Sequence, residues 1–205
     1  MPAKNSVKIY IPDSYYHVYN RGAGKSEIFT DDQDYNVFLH YLQKYLDKSS
    51  DHKIDGVKLL AYCLMPNHFH LFVYQENKDG LIKFMRALST SYAMYFNLRW
   101  ERSGTIFQGI YKAARIEEDS YFLHLSRYIH LNPAEIDGGW KNYKYSSYKD
   151  YLGERSTTWI DPMPVLSYFK SEESGGGSAY LTYQSFVEDS VDSGESLGEL
   201  AIDYV

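Results

Sequence analysis

The chain of 205 residues has one cysteine, six prolines and no long apolar run. A lone thiol, Cys63, cannot close an intramolecular disulfide, which excludes a disulfide-stapled secreted scaffold. Met1 to Ser14 holds no apolar h-region, and no later run approaches the roughly 18 apolar residues of a membrane span. The expectation is a soluble protein of a reducing compartment, with no membrane partner. A cationic excess is missing too. There are 21 Lys+Arg against 27 Asp+Glu, a net charge of -6. At face value that argues against a polyanionic partner. Aromatic residues, in contrast, abound: 22 tyrosines, 10 phenylalanines and 3 tryptophans. With 44% hydrophobic and 23% charged residues the chain is of globular composition, and its length gives one ordinary core.

The shortage of positive charge is local. Met1 to Arg155 carries 20 basic and 18 acidic residues, a net +2, whereas Ser156 to Val205 carries one lysine, Lys170, and nine acids, a net −8. The division expected is therefore a body over 1–155 and an acidic extension over 156–205. Ser171-Glu172-Glu173-Ser174-Gly175-Gly176-Gly177-Ser178 has the composition of a flexible linker. The extension is either a solvated, partly flexible tail or an acidic segment that covers a basic groove.

Within the body, hydrophobic periodicity alternates. Tyr15 to Asn20 is an aromatic and β-branched strand that ends at Arg21-Gly22. Asp31 or Asp32 can cap a helix carrying Tyr35, Phe38, Leu39, Leu42, Tyr45 and Leu46 at helical spacing. Val57–Met65, the turn Pro66-Asn67 and His68–Gln75 form a hairpin pattern. Leu81–Trp100 is a second helix free of Gly and Pro, Tyr111–Glu117 a fourth strand, and a third helix runs from Asp119-Ser120 to Asn132, where Pro133 stops it. The order β-α-β-β-α-β plus a helix predicts an α+β, ferredoxin-like antiparallel sheet with helices on one face and a further C-terminal helix.

Two segments carry chemistry. His68 and His70 are two apart on a strand, so both imidazoles project to one side while Phe69, Leu71 and Val73 project to the other. Two neutral imidazoles so placed can chelate one divalent cation. The same pattern is left by two histidines that merely share a strand. Tyr128 and Asn132 are four apart, which puts them on one helix face a turn apart. An amide oxygen can complete a hard-cation shell beside a phenol. With 22 tyrosines, composition alone does not single out Tyr128.

Taken together, the segments resemble a known family. His17-Val18-Tyr19-Asn20-Arg21-Gly22, Ala61-Tyr62-Cys63-Leu64-Met65-Pro66-Asn67-His68-Phe69-His70, Tyr95-Phe96-Asn97, Gly104-Thr105-Ile106-Phe107-Gln108-Gly109, Arg127-Tyr128-Ile129-His130-Leu131-Asn132-Pro133 and Ser146-Ser147-Tyr148 follow one another as in the REP-associated tyrosine transposases. These belong to the HUH single-strand transposases, and the similarity runs from about Tyr15 to Gly153. It implies that His68, His70 and Asn132 hold Mg²⁺ or Mn²⁺ and that Tyr128 is the nucleophile. It also implies cleavage and transfer of single-stranded DNA at hairpins through a 5′-phosphotyrosine link, in a cytoplasmic, nucleoid-associated protein that is a monomer or homodimer. One departure stands out: Ile110 replaces an arginine that relatives often carry before the Tyr-Lys pair.

A single-strand binder needs cations for phosphates and aromatic faces for bases. The cationic candidates are Arg21, Lys25, Lys83, Arg86, Lys112, Arg115 and Arg127, with Arg99 and Arg102 further along the second helix. Tyr16, Tyr19, Trp100 and Tyr111 are the stacking candidates. The competing expectation is a catalytically silent ferredoxin-like nucleic-acid-binding module. A cupin-like metal site would need many more strands, and a two-histidine phosphodiesterase would need a second His-X-Thr or His-X-Ser element, which is absent.

Overall fold

A computed structural model describes residues 10–117, 119–136, 139–169 and 182–192. Its frame is a four-stranded antiparallel sheet of β1 (Ser14–Arg21), β2 (Val57–Met65), β3 (His68–Gln75) and β4 (Lys112–Ile116), in the order β2-β3-β1-β4. Helices α1 (Asp32–Leu46) and α2 (Gly80–Arg99) cover one face, and α3 (Asp119–Leu131) lies on the other. This is the ferredoxin-like order that the hydrophobic pattern predicts, with the tyrosine-bearing helix across the sheet from α1 and α2.

The pleat sorts the side chains. Tyr16 and Val18 of β1 and Phe69, Leu71 and Val73 of β3 join the apolar positions of α1 and α2 in one core. Tyr15 and Phe72 pack instead with Phe122, Leu125 and Ile129 of α3. Burying a side chain of this size contributes roughly 1.5–3 kcal/mol, so each face fixes the strand register, and a slip of one residue would invert both cores.

Helix α1 starts where Asp31 accepts the N–H groups of Gln33 and Asp34 at 3.0 and 3.2 Å. Buried Asp34 then accepts from Tyr95, Arg99 and Trp100 of the α2 end, at 2.9, 2.7 and 3.2 Å. That network occupies Arg99 and the Trp100 indole, both named as candidate DNA contacts.

The β2 edge is closed by chain that follows α3. Leu64 N–H donates to Tyr145 O, Ser147 N–H to Tyr62 O, and Asp161 N–H to Leu59 O, at 2.9, 3.0 and 2.7 Å. Helices α4 (Tyr148–Tyr151), α5 (Met163–Leu166) and α6 (Tyr183–Asp192) complete the α3 side. Parts of the acidic extension are thus built into the body: Tyr183, Phe186 and Val187 of α6 are buried against α3. The linker-like Ser171–Ser178 lies outside the described residues. Among the described residues, no helix is long and apolar enough to cross a membrane.

Candidate active site

The site begins at the β2–β3 turn. Pro66 O accepts the N–H groups of Ile28 and Phe29 at 2.8 and 3.0 Å, and Asn67 O accepts that of Gly22 at 2.8 Å. Only glycine fits there, because a Cβ on Gly22 would lie 2.0 Å from Ser26 O. The turn is therefore anchored on the segment after β1 before any functional side chain is considered.

Asn67 uses both ends of its amide. Its Nδ2 donates to Lys25 O at 3.4 Å, which turns Oδ1 towards His68 Nδ1 at 2.7 Å. An amide oxygen only accepts, so Nδ1 of His68 carries a proton. The other ring nitrogen, Nε2, lies 3.0 Å from Asn132 Oδ1. That contact joins strand β3 to the end of α3. In a neutral His68 it sets two lone pairs face to face, an arrangement that a shared cation would satisfy. Two ligands at right angles on an octahedral ion of about 2.1 Å bond length stand about 3 Å apart, so the spacing fits.

His70 is fully buried. Its Nδ1 lies 2.9 Å from Nε2 of His17, a residue of β1. Burial first, then the repulsion that a protonated His68 would exert, hold His70 well below the usual imidazole pKa, so the ring is neutral at neutral pH. The Tyr128 ring stands edge-on to His70 at 5.4 Å and to His17 at 5.8 Å. Tyr128 is only 5% exposed, whereas His68 and Asn132 are half-buried and open the site to solvent. The fold brings His68, His70, Tyr128 and Asn132 together. Among the described residues no group of three or more His, Cys, Asp and Glu side chains is placed to hold a metal. The set available is two imidazoles and an amide, a donor set that would leave most positions of a six-coordinate cation to other oxygens.

Sequence reasoning assigned no role to His17 or Asn67. Asn67 was legible as the turn residue before His68. His17 was not, because nothing in one strand's sequence tells which histidine it meets on another.

The cationic candidates divide. Arg21 pairs in register with His68, so it projects beside it, and its Nε donates to Gln108 Oε1. Lys112 pairs with Tyr19 on the same face, its Nζ 5.5 Å from that ring. Lys25 is exposed at the turn that Asn67 holds. Arg115 pairs with Tyr16 and projects to the opposite face, where it meets Glu117. Lys83 and Arg86 are exposed on α2, also across the sheet. Arg127 is buried, 2.8 Å from His124 Nδ1 and over the Phe186 ring at 4.7 Å. Ile110 is 79% exposed, one residue beyond the Gly109 that accepts from Asn20.

Paired strand histidines thus face a tyrosine and an asparagine of one helix, on a ferredoxin-like sheet. The chain belongs to the IS200-like transposase family, whose sequence profile matches residues 10–132, ending on Asn132 itself. Its fold is shared by the REP-associated tyrosine transposase bound to a REP hairpin, with a TM-score of 0.57, 15% identity, and coverage of 86% of this chain and 98% of that one. A candidate transposase from Deinococcus radiodurans R1 superposes with a TM-score of 0.40 at 15% identity, over 63% and 95% of the two chains. A bacterial tRNA(His) guanylyltransferase-like protein in complex with GTP gives 0.37 at 16%, over 62% of each. At those scores neither bears on function. Comparison with curated proteins gives no match.

Proposed function

We propose that this transposase is a metal-dependent single-strand DNA endonuclease and strand transferase that acts at hairpins of the REP type through a 5′-phosphotyrosine intermediate. The observation that carries the reading is the 3.0 Å approach of His68 Nε2 to Asn132 Oδ1, beside a buried neutral His70 and the Tyr128 ring. His68, His70 and Asn132 would hold Mg²⁺ or Mn²⁺, which neutralises phosphate charge and makes phosphorus more electrophilic. Tyr128 Oη forms the bond to phosphorus, the P–O3′ bond breaks, the phenolic proton passes to solvent, and the 3′ oxygen leaves as a hydroxyl after taking up a proton. A 3′-hydroxyl attacking the same phosphorus reverses the step, releases the phenol and rejoins DNA without another energy source.

The edge-on contacts of Tyr128 with His70 and His17 support a tyrosine that acts on DNA held by its own chain. Arg21, Lys25 and Lys112 would contact phosphates around it, while buried Tyr19 backs Lys112, whose Nζ lies over its ring. A nucleoid-associated location follows from such a substrate. The test incubates the purified chain with a hairpin oligonucleotide taken from repeats flanking its own gene, with Mg²⁺ or Mn²⁺. Nicking and a chelator-sensitive covalent adduct are expected. Hairpin binding without nicking under either ion would sink the enzymatic reading in favour of a silent binding module.

A further inference from the structure

We propose that His17 is a positioning residue for the metal centre: it accepts the Nδ1–H of His70 and so fixes the tautomer whose Nε2 lone pair is available to the cation. The inference rests on the assignment of His70 as a ligand. Its basis is a buried hydrogen bond of 2.9 Å between His17 Nε2 and His70 Nδ1.

The register explains why these rings meet. Tyr19 is the direct cross-strand partner of His70, and His17 that of Phe72. His17 and His70 are thus diagonal neighbours on one face, close enough for side chains of this length. Their rings stack at 5.1 Å with an interplanar angle of 23°, and Tyr19 stacks on His17 at 4.9 Å. Both histidines are fully buried, which favours two neutral rings with one proton between the facing nitrogens.

The direction of that hydrogen bond decides what His70 can do. A proton on His17 Nε2 would put His70 in its Nε2–H form and remove its ligating lone pair. A proton on His70 Nδ1 leaves Nε2 open, with His17 protonated on its own Nδ1. Asn67 treats the neighbouring ligand in the second way, receiving the Nδ1–H of His68. The two assigned imidazoles are then held as the same tautomer by two different acceptors. Ligating histidines are commonly oriented so, and loss of such a partner typically costs 10–100-fold in metal affinity.

The test measures Mn²⁺ binding by electron paramagnetic resonance, and His70 tautomers by ¹⁵N-resolved NMR without metal, in wild type, His17→Phe, His17→Gln and His70→Ala. The wild type should show His70 as the Nδ1–H form. His17→Phe should weaken Mn²⁺ about 10–100-fold, and His17→Gln, which keeps an acceptor oxygen, should recover part of that loss. A folded His17→Phe that binds Mn²⁺ as wild type does, or a wild-type His70 in the Nε2–H form, would overturn the proposal. Failure of the ligand assignment looks different: His70→Ala would then bind Mn²⁺ unchanged, while the NMR measurement still decides the tautomer.

Discussion

At the scale of single residues, the site depends on groups that hold other groups. Asn67 fixes His68 through an amide satisfied at both ends, by Lys25 O and by the ring. Asn67→Ala is expected to lower Mn²⁺ affinity about tenfold or more while leaving the fold intact, measured by titration beside a thermal melt. Ile110 marks where a cation could be added. It is 79% exposed, and its chain neighbour Gly109 is tied to β1 through Asn20. Ile110→Arg should tighten binding of a hairpin with a single-stranded flank at low salt and steepen the log–log salt dependence by about 0.7, the share of one phosphate. An unchanged slope would mean that this rim does not meet the backbone. That Tyr128 and Asn132 share a helix face, and His68 and His70 a strand face, was legible from local spacing, whereas the roles expected of them came from the family resemblance of the whole motif series. The link from His17 to His70 depends on which residue faces which across strands 53 positions apart.

At the scale of elements, the bounds of β2 and β3 follow from the sequence, because two apolar runs are broken by the turn residues Pro66-Asn67. The shift of register between Leu59 and Ala61 does not, since a strand apolar on both faces carries no alternation to fix it. Arg127 shows where element patterns stop being informative. Helical spacing places it off the Tyr128 face, but nothing in α3 itself tells that Phe186, nearly sixty residues on, will cover its guanidinium. Helix α6 is anchored by Tyr183, whose hydroxyl lies 2.7 Å from His130 Nδ1 and 3.1 Å from Ser126 Oγ, while His130 Nε2 lies 2.8 Å from Ser147 Oγ. Tyr183→Phe leaves a buried imidazole nitrogen short of that partner and should cost about 1–3 kcal/mol in urea unfolding. The loop after α1 is tied to the C-terminal segment through Asp47. Thr158 Oγ1 donates to it at 2.6 Å, and the Ser49 N–H and hydroxyl at 2.9 and 2.7 Å, and these bonds lower its pKa to about 2. A folded-state pKa below the unfolded one gives stability that is present above about pH 4 and is lost as pH falls towards 2. The melting-temperature gap between wild type and Asp47→Asn should therefore be full at pH 7 and shrink below pH 4. A gap constant with pH would contradict the origin given for it.

At the scale of the whole molecule, charge and packing divide the extension. Truncation before α6 would strip Tyr183, Phe186 and Val187 from the core and confound charge with stability. Truncation after Asp192 keeps α6 and removes only Glu195, Glu199 and Asp203 among charged side chains. It should raise affinity for single-stranded hairpin DNA at low salt, with the gain vanishing above about 0.3 M salt, where the screening length is well under 10 Å. An unchanged affinity at low salt would leave those acids without influence on DNA. The body's net +2 is now divided by face. Arg21, Lys25 and Lys112 lie around the histidines, and Lys83, Arg86 and Arg115 across the sheet, so neutralising the first group should weaken hairpin binding much more than neutralising the second.

The most direct measurement is peptide mass mapping of the chain after incubation with a hairpin oligonucleotide and Mn²⁺. A nucleotide 5′-phosphate carried on the peptide containing Tyr128, and lost in Tyr128→Phe, is the predicted result. An adduct on another tyrosine, or one that persists in Tyr128→Phe, would contradict it.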